Sequence, residues 1–257
     1  MGEEREYGRL YPVARAILRP MMRALYRVEA EGLENVPETG PAVICPNHIS
    51  FMDSLFVPMV LPRRISYVGK AEYLDNWKTR RLFPALGMIP IERGGGSASQ
   101  RALDTAAGVL ERGELFGIYP EGTRSRDGKL HKGHTGPARL ALRTGAPLIP
   151  VGIIGTDRIQ PPDSRVPRVF KSCTIRFGRP IDVEGHRHRG DDPMLFRELI
   201  DELMFEIREL TGQEYVHAYA TKKPEALPAE TVVIPSANGQ ARRTAAEAMA
   251  QRAADHA

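Results

Sequence analysis

A histidine and an aspartate five residues apart, in Asn47-His48-Ile49-Ser50-Phe51-Met52-Asp53-Ser54, are the residues of this sequence best suited to moving a proton. Imidazole ordinarily titrates near neutral pH, so a histidine needs little tuning to act as a base. On a continuous helix five residues turn about 500°, which leaves the two side chains about 140° apart. They meet only if His48 lies in the loop or first turn and Asp53 one turn later. The carboxylate then takes the Nδ1–H, fixes the tautomer and leaves Nε2 free. A structural reading competes. Ser50-x-x-Asp53 is also a capping box for a helix over Phe51–Leu61, and that cap would itself place Asp53 at the helix start.

A second segment, Tyr119-Pro120-Glu121-Gly122-Thr123-Arg124-Ser125, joins a glycine, a hydroxyl and an arginine fork in one loop. Backbone N–H groups and a guanidinium in that setting make a cradle for a phosphate or an oxyanion, and the alternative is a plain surface turn. Arg93, in Ile89-Pro90-Ile91-Glu92-Arg93-Gly94, and Lys70 each follow an apolar run in the same way. Other chemistries lack their signatures. There is no G-x-S-x-G elbow and no G-x-x-x-x-G-K-[ST] loop. The pairs His131/His134 and His186/His188 have no Cys or carboxylate partners at metal-ligand spacing, and read as solvated loop histidines with no metal. Cys45 and Cys173 cannot build a disulfide framework and read as reduced core thiols.

These residues need elements to hold them. Short apolar runs bounded by turn residues occur at Ala42–Cys45, Ile65–Val68, Met88–Ile91, Leu115–Tyr119, Leu148–Ile154 and Cys173–Phe177. Helical patterns alternate with them at Phe51–Leu61, Ala71–Phe83, Ser97–Arg112, Gly136–Arg143 and Pro193–Leu210. That order predicts an α/β fold with a mixed, mostly parallel central sheet flanked by helices, whose ligands collect at the strand-to-helix loops. Four strand ends then deliver His48, Lys70, Arg93 and the Glu121–Arg124 loop to one edge. The chain divides into an N-terminal segment (1–30), one main domain (31–217) and an Ala/Pro-rich tail (218–257) expected to be loosely ordered. Arg15, Arg19, Arg23 and Arg27 recur at i, i+4 in the first segment, opposite Val13, Ile17, Leu18, Met21 and Leu25. The pattern is a basic amphipathic helix, broken or kinked near Pro12 and Pro20, that packs on the domain or lies in a lipid headgroup plane.

The whole chain has 257 residues, 42% of them hydrophobic, and a formal charge of +4. That supports a sizeable core, while so small an excess of charge gives no argument for nucleic acid. No apolar run reaches about 18 residues, so no uninterrupted membrane span is expected.

The segments in series resemble the glycerolipid acyltransferases, most closely the 1-acyl-sn-glycerol-3-phosphate (lysophosphatidic acid) acyltransferases. The Asn-His-x-x-x-x-Asp-Ser motif is Asn47, His48, Asp53 and Ser54. The later motifs are Gly87–Arg93, Tyr119–Ser125 and the apolar strand Leu148-Ile149-Pro150-Val151-Gly152, so order and spacing hold from about Val28 to Ile181. Glu92 stands where the family has an aspartate, and His134 departs from its run of small residues. The resemblance implies acyl transfer from acyl-CoA or acyl carrier protein to the free hydroxyl of 1-acylglycerol-3-phosphate. The product is phosphatidic acid, made in phospholipid biosynthesis. It implies His48 as base and Asp53 as its orienting partner. Lys70, Arg93, Glu121, Gly122, Thr123 and Arg124 would then lie around the acceptor phosphate, with Glu121 fixing an arginine or meeting the glycerol hydroxyl. Pro150 would belong to the acyl groove or to the sheet. No cofactor is implied beyond the thioester substrate. With lipid substrates, the N-terminal helix becomes a peripheral anchor at the cytoplasmic membrane face, and nothing in the pattern sets an oligomeric state. The alternatives are a glycerol-3-phosphate or other lysolipid or glycolipid O-acyltransferase of the same family, a non-catalytic lipid-surface module, and a thiol acyl-enzyme through Cys45.

Overall fold

The computed structural model describes residues 11–70, 79–91, 97–164, 166–189, 191–221 and 231–235. Helix α1 (Tyr11–Leu25) leads into strand β1 (Tyr26–Glu31), then β2 (Ala42–Pro46), α2 (Asp53–Val60) and β3 (Ile65–Lys70). Next come α3 (Thr79–Ala85), β4 (Met88–Ile91), α4 (Ser97–Glu111), β5 (Leu115–Gly117), the two-residue β6 (Leu130–His131) and α5 (Gly136–Thr144). The chain continues through β7 (Leu148–Ile154), α6 (Thr156–Ile159), β8 (Lys171–Phe177), α7 (Pro193–Thr211), β9 (Tyr215–Val216) and β10 (Val233–Ile234).

Seven strands form one sheet in the order β1-β8-β7-β2-β5-β3-β4, and β10-β9-β6 form a small second one. In the large sheet only the β7–β8 pair is antiparallel. The expected mixed, mostly parallel sheet flanked by helices is therefore the one observed. Its central strands are apolar throughout because helices cover both faces: every residue of β2 (AVICP) is buried, and all of β7 (LIPVGII) but the last. One face packs against α4, α5 and α7, with Leu110, Leu140, Leu203 and Ile207 at its centre. The other packs against α1 and α2 through Met22, Phe56, Val57 and Leu61. Each large apolar side chain removed from water this way contributes about 1.5–3 kcal/mol.

Two local signals set helix ends. Asp192 accepts from the backbone N–H of Met194 (2.9 Å) and Leu195 (3.4 Å), Pro193 opens the first turn of α7, and Gly212 closes it at φ 69°. Gly87, between α3 and β4, has φ 89°, and a Cβ there would lie 2.3 Å from the Ile65 carbonyl oxygen. The turn that launches β4 thus admits only glycine.

The structure differs from the sequence expectation in four places. Residues 26–31, most of them placed by the sequence pattern in the N-terminal helical segment, form strand β1, parallel to β8 and part of the main sheet. Its alternating burial shows the period-2 pattern that the neighbouring arginine periodicity masked. Helix α1 is unbroken through Pro20. Within the expected tail, β10 pairs with β9, so part of 218–257 belongs to the small sheet. Finally, α2 begins at Asp53 rather than Phe51, and of the helix expected over 71–83 only the part from Thr79 lies among the described residues.

Strands β2, β3, β4, β5 and β7 run in one direction, so their C-terminal ends share an edge. Because β8 and β1 run the other way, their first residues, Lys171 and Tyr26, lie at that same edge.

Candidate active site

The loop after β2 carries His48 and is held before α2 begins. His48 Nδ1 lies 2.9 Å from Asp53 Oδ2, and that oxygen also accepts the backbone N–H groups of Ile49 (2.9 Å) and Ser50 (2.8 Å). Asp53 Oδ1 accepts the Thr156 hydroxyl at 2.6 Å. Four donors thus surround a fully buried carboxylate, which keeps it the acceptor for the imidazole. The competing capping box forms by half. Asp53 reaches back to the Ser50 N–H, while Ser50 Oγ accepts from Met52 at 3.3 Å and donates to the Gln160 carbonyl at 2.9 Å. The helix start and the His–Asp pair are therefore one construction.

The imidazole stacks on the Tyr119 ring, with centroids 3.9 Å apart and planes at 17°. The Tyr119 and Ser54 hydroxyls are 3.0 Å apart, and burial together with the nearby Asp53 charge raises the phenol's pKa, keeping it neutral. With Nδ1 taken by Asp53, Nε2 makes no hydrogen bond among the described residues, and the His48 side chain is 15% exposed. Nε2 is thus the ring nitrogen left free of a protein partner among the described residues.

The backbone of His48 is clamped by the Tyr119–Ser125 loop. Its N–H donates to Glu121 Oε1 at 3.0 Å, and its carbonyl accepts the Ser125 N–H at 2.7 Å. The other Glu121 oxygen accepts the His131 N–H at 3.0 Å. Glu121, placed by the resemblance around the acceptor phosphate to fix an arginine or meet the glycerol hydroxyl, uses both oxygens on backbone, joining the His48 loop to β6. Burial pushes its carboxyl up to about 7, against those two N–H donors, which favour the ionised form. His131 is buried rather than a solvated loop histidine, because β6 carries it inside and Asp127 Oδ1 meets its Nε2 at 3.0 Å. Burial opposes its charged form, yet Asp127 and Glu121 raise its pKa.

Gly122 has φ 71°, and a Cβ there would lie 3.0 Å from the His134 ring, which stacks on Tyr219 at 4.4 Å. Thr123 and Arg124 are half-buried on the same rim, and their backbone N–H groups make no bond within the described chain. Lys70 ends β3, on the same edge. Arg93 lies outside the described residues. Pro150 is buried within β7, paired with Cys45 and accepting the Gly178 N–H at 2.8 Å, so it belongs to the sheet interior. Cys45 is fully buried, its thiol faces the Val43 carbonyl, and burial pushes its pKa far up. It cannot serve as a thiolate. No group of three or more potential metal ligands occurs among the described residues.

The sequence pattern does not single out Thr156, and it marks Asn47 and Tyr119 only as members of their motifs, without a role in this construction. Asn47 accepts from Ile153 N at 2.6 Å and donates to Ile153 O at 3.0 Å, continuing the β2–β7 ladder with its side chain. Thr156 follows Gly155 at the end of β7, where a hydroxyl just past a strand was the available signal.

A mostly parallel sheet brings a carboxylate-held histidine and a Gly-Thr-Arg loop to one edge, an arrangement of the α/β class able to take up a proton at the histidine. The family model described as Acyltransferase matches residues 27–154. A chloroplast 1-acyl-sn-glycerol-3-phosphate acyltransferase of Arabidopsis thaliana is 30% identical over 140 residues, 54% of this chain and 39% of that one. Against the alpha form of that enzyme from Mus musculus, identity is 29% over 202 residues, 77% and 70% of the two chains. The crystal structure of a 1-acyl-sn-glycerophosphate acyltransferase from Thermotoga maritima superposes with a TM-score of 0.64 at 23% identity, covering 78% of each chain. The match spans about two fifths of the chloroplast relatives' length. The chain belongs to the acyltransferase family, and the match takes in the elements that carry His48, Asp53 and the Glu121–Arg124 loop.

Proposed function

We propose that this protein is an O-acyltransferase that moves a fatty acyl group from acyl-CoA or acyl carrier protein to the free hydroxyl of 1-acylglycerol-3-phosphate, giving phosphatidic acid. The observation that carries the reading is His48 Nδ1 at 2.9 Å from a buried, fourfold-bonded Asp53, with Nε2 left open. Nε2 takes the proton as the acceptor hydroxyl attacks the thioester carbonyl, and Asp53 stabilises the imidazolium that forms. Collapse of the tetrahedral intermediate breaks the C–S bond, and the imidazolium returns its proton to the leaving thiolate. Base, acceptor and thioester complete this reaction without a cofactor.

The N–H groups of His48, Ile49 and Ser50 are committed to Glu121 and Asp53, so these three are not free to act as oxyanion donors. Thr123 and Arg124, with Lys70 and Arg93 from the neighbouring strand ends, are assigned to the acceptor's phosphate.

Relatives carrying the lysophosphatidate acyltransferase name support a lipid acceptor, and α1 suits a surface that presents one. Val13 (56% exposed), Ile17 (63%) and Met21 (46%) form an outward i, i+4 stripe, while Tyr11 and Met22 face in. We assign this stripe to the acyl-headgroup boundary of the cytoplasmic leaflet. No helix among the described residues is long and apolar enough to cross a membrane. The test is transfer of labelled palmitoyl and oleoyl groups from both donor types to glycerol-3-phosphate, 1-acyl and 2-acyl lysophosphatidates and lysophospholipids. The reading predicts phosphatidic acid from 1-acylglycerol-3-phosphate as the main product, and selective use of another acceptor overturns it.

A further inference from the structure

Phe170 is the only non-glycine residue with positive φ (59°) among the described residues, and the residue is 79% exposed. A bulky residue in the left-handed region is strained by about 1–2 kcal/mol, and such outliers, held by the surrounding structure, cluster at functional positions. Packing does not explain this one, because the ring is in water while its backbone N–H is tied to the Leu25 carbonyl at 2.8 Å. Val166 (72% exposed) and Val169 (43%) stand on the same short segment, flanked by exposed Arg168 and Lys171.

Its position is as informative as its composition. Lys171 pairs with Tyr26, at the sheet edge where the His48 loop follows β2 and α1 ends. The base of the loop is tied to the site by Ser50 Oγ to the Gln160 carbonyl (2.9 Å), and across the rim by Arg126 to Asp163 (3.3 Å). It thus adjoins the end of α1, which carries the stripe Val13, Ile17 and Met21.

We propose that the Val166–Phe170 loop is a second lipid-contacting element, which inserts Phe170 and its two valines into an anionic bilayer beside α1 and turns the His48 edge towards the membrane. The proposal rests on the lipid-acceptor reading above. Two contacts, a helix and a wedge, fix orientation where one helix alone leaves the body free to roll about its axis. Arg168 and Lys171 supply the attraction to anionic headgroups.

Phe170→Gly is the decisive variant, because glycine accepts this backbone without strain and a residue needed for the fold is not replaced so cheaply. Full-length wild type and variant are sedimented with vesicles of phosphatidylcholine containing 30 mol% phosphatidic acid, as a flotation check is run on phosphatidylcholine alone. The expected result is a vesicle partition coefficient lowered about tenfold, as burial of one aromatic side chain implies. The melting temperature is expected to be unchanged or higher, and the turnover of a short-chain, monomeric lysophosphatidate unaltered. Binding equal to wild type, a drop of several degrees in melting temperature, or a dimer converted to monomer with vesicle binding intact each overturns the proposal. The last outcome would assign the patch to a second copy of the chain. Loss of vesicle binding with no acyl transfer by wild type to any acceptor would instead count against the reading of function alone.

Discussion

Asp53 does two tasks with one carboxylate: it closes the turn that ends in α2 and it orients His48. Asp53→Asn keeps the shape but presents an NH2 group to donors, so at least one of the Ile49, Ser50, His48 or Thr156 groups loses its acceptor. An unsatisfied buried donor costs about 1–3 kcal/mol, and the variant is expected to melt lower as well as to lose most of its turnover. Thr156→Val removes a single bond. Its expected cost is about 1 kcal/mol with a roughly tenfold loss of kcat at little change in KM, measured by denaturation and steady-state kinetics. Glu121 gives a pH test. Its folded pKa, about 7, lies above its ordinary value, so the folded chain holds the proton more tightly. Its contribution is therefore most favourable at acid pH and declines as pH rises from about 4.5 to 7, by on the order of 3 kcal/mol. Relative to Glu121→Gln, unfolding free energy of the wild type should fall across that window, and parallel curves would refute the assignment. At this scale the sequence told much about His48 and Asp53, because spacing at a strand end limits how two side chains meet. It said little about Glu121 or Thr156, whose partners lie 73 and 103 residues away.

Elements were most legible where burial is continuous. The apolar runs of β2, β4 and β7 and the 3.6-residue period of α4, α5 and α7 state their type directly. Strand β1 was hidden because Tyr26–Glu31 follows an arginine repeat whose last member, Arg27, falls on the strand. Its alternation becomes decisive only once β8 supplies a partner. The two-residue strands β6, β9 and β10 carry too few residues for any period. Helix α1 is fastened to α2 by Tyr11, whose hydroxyl donates to the Pro58 carbonyl at 3.0 Å, and by Arg15, which donates to the Leu61 and Pro62 carbonyls. A cation at those last carbonyls opposes the negative end of α2. Arg15→Ala should therefore lower stability by about 1 kcal/mol in a denaturant melt, while the exposed Arg23→Ala leaves it unchanged.

For the whole molecule, the sheet direction matters more than any single contact. Five strands ending at one edge, with β1 and β8 starting there, put the base, the cradle and the end of α1 on one side. Deleting residues 1–27 would remove part of β1 along with α1, so the membrane test is better made by substitution. Val13→Ser, Ile17→Ser and Met21→Ser together should cut vesicle binding at least about tenfold and increase its sensitivity to salt, with little change in melting temperature. Arg93→Ala is expected to raise KM for the phosphorylated acceptor far more than for the acyl donor. The central claim, that an aspartate-held imidazole removes the acceptor's proton, is tested most directly by kcat of His48→Ala with 1-acylglycerol-3-phosphate and acyl-CoA, alongside its melting curve. The predicted result is a loss of about a thousandfold or more with wild-type stability. Near-normal turnover by a folded His48→Ala protein would contradict it.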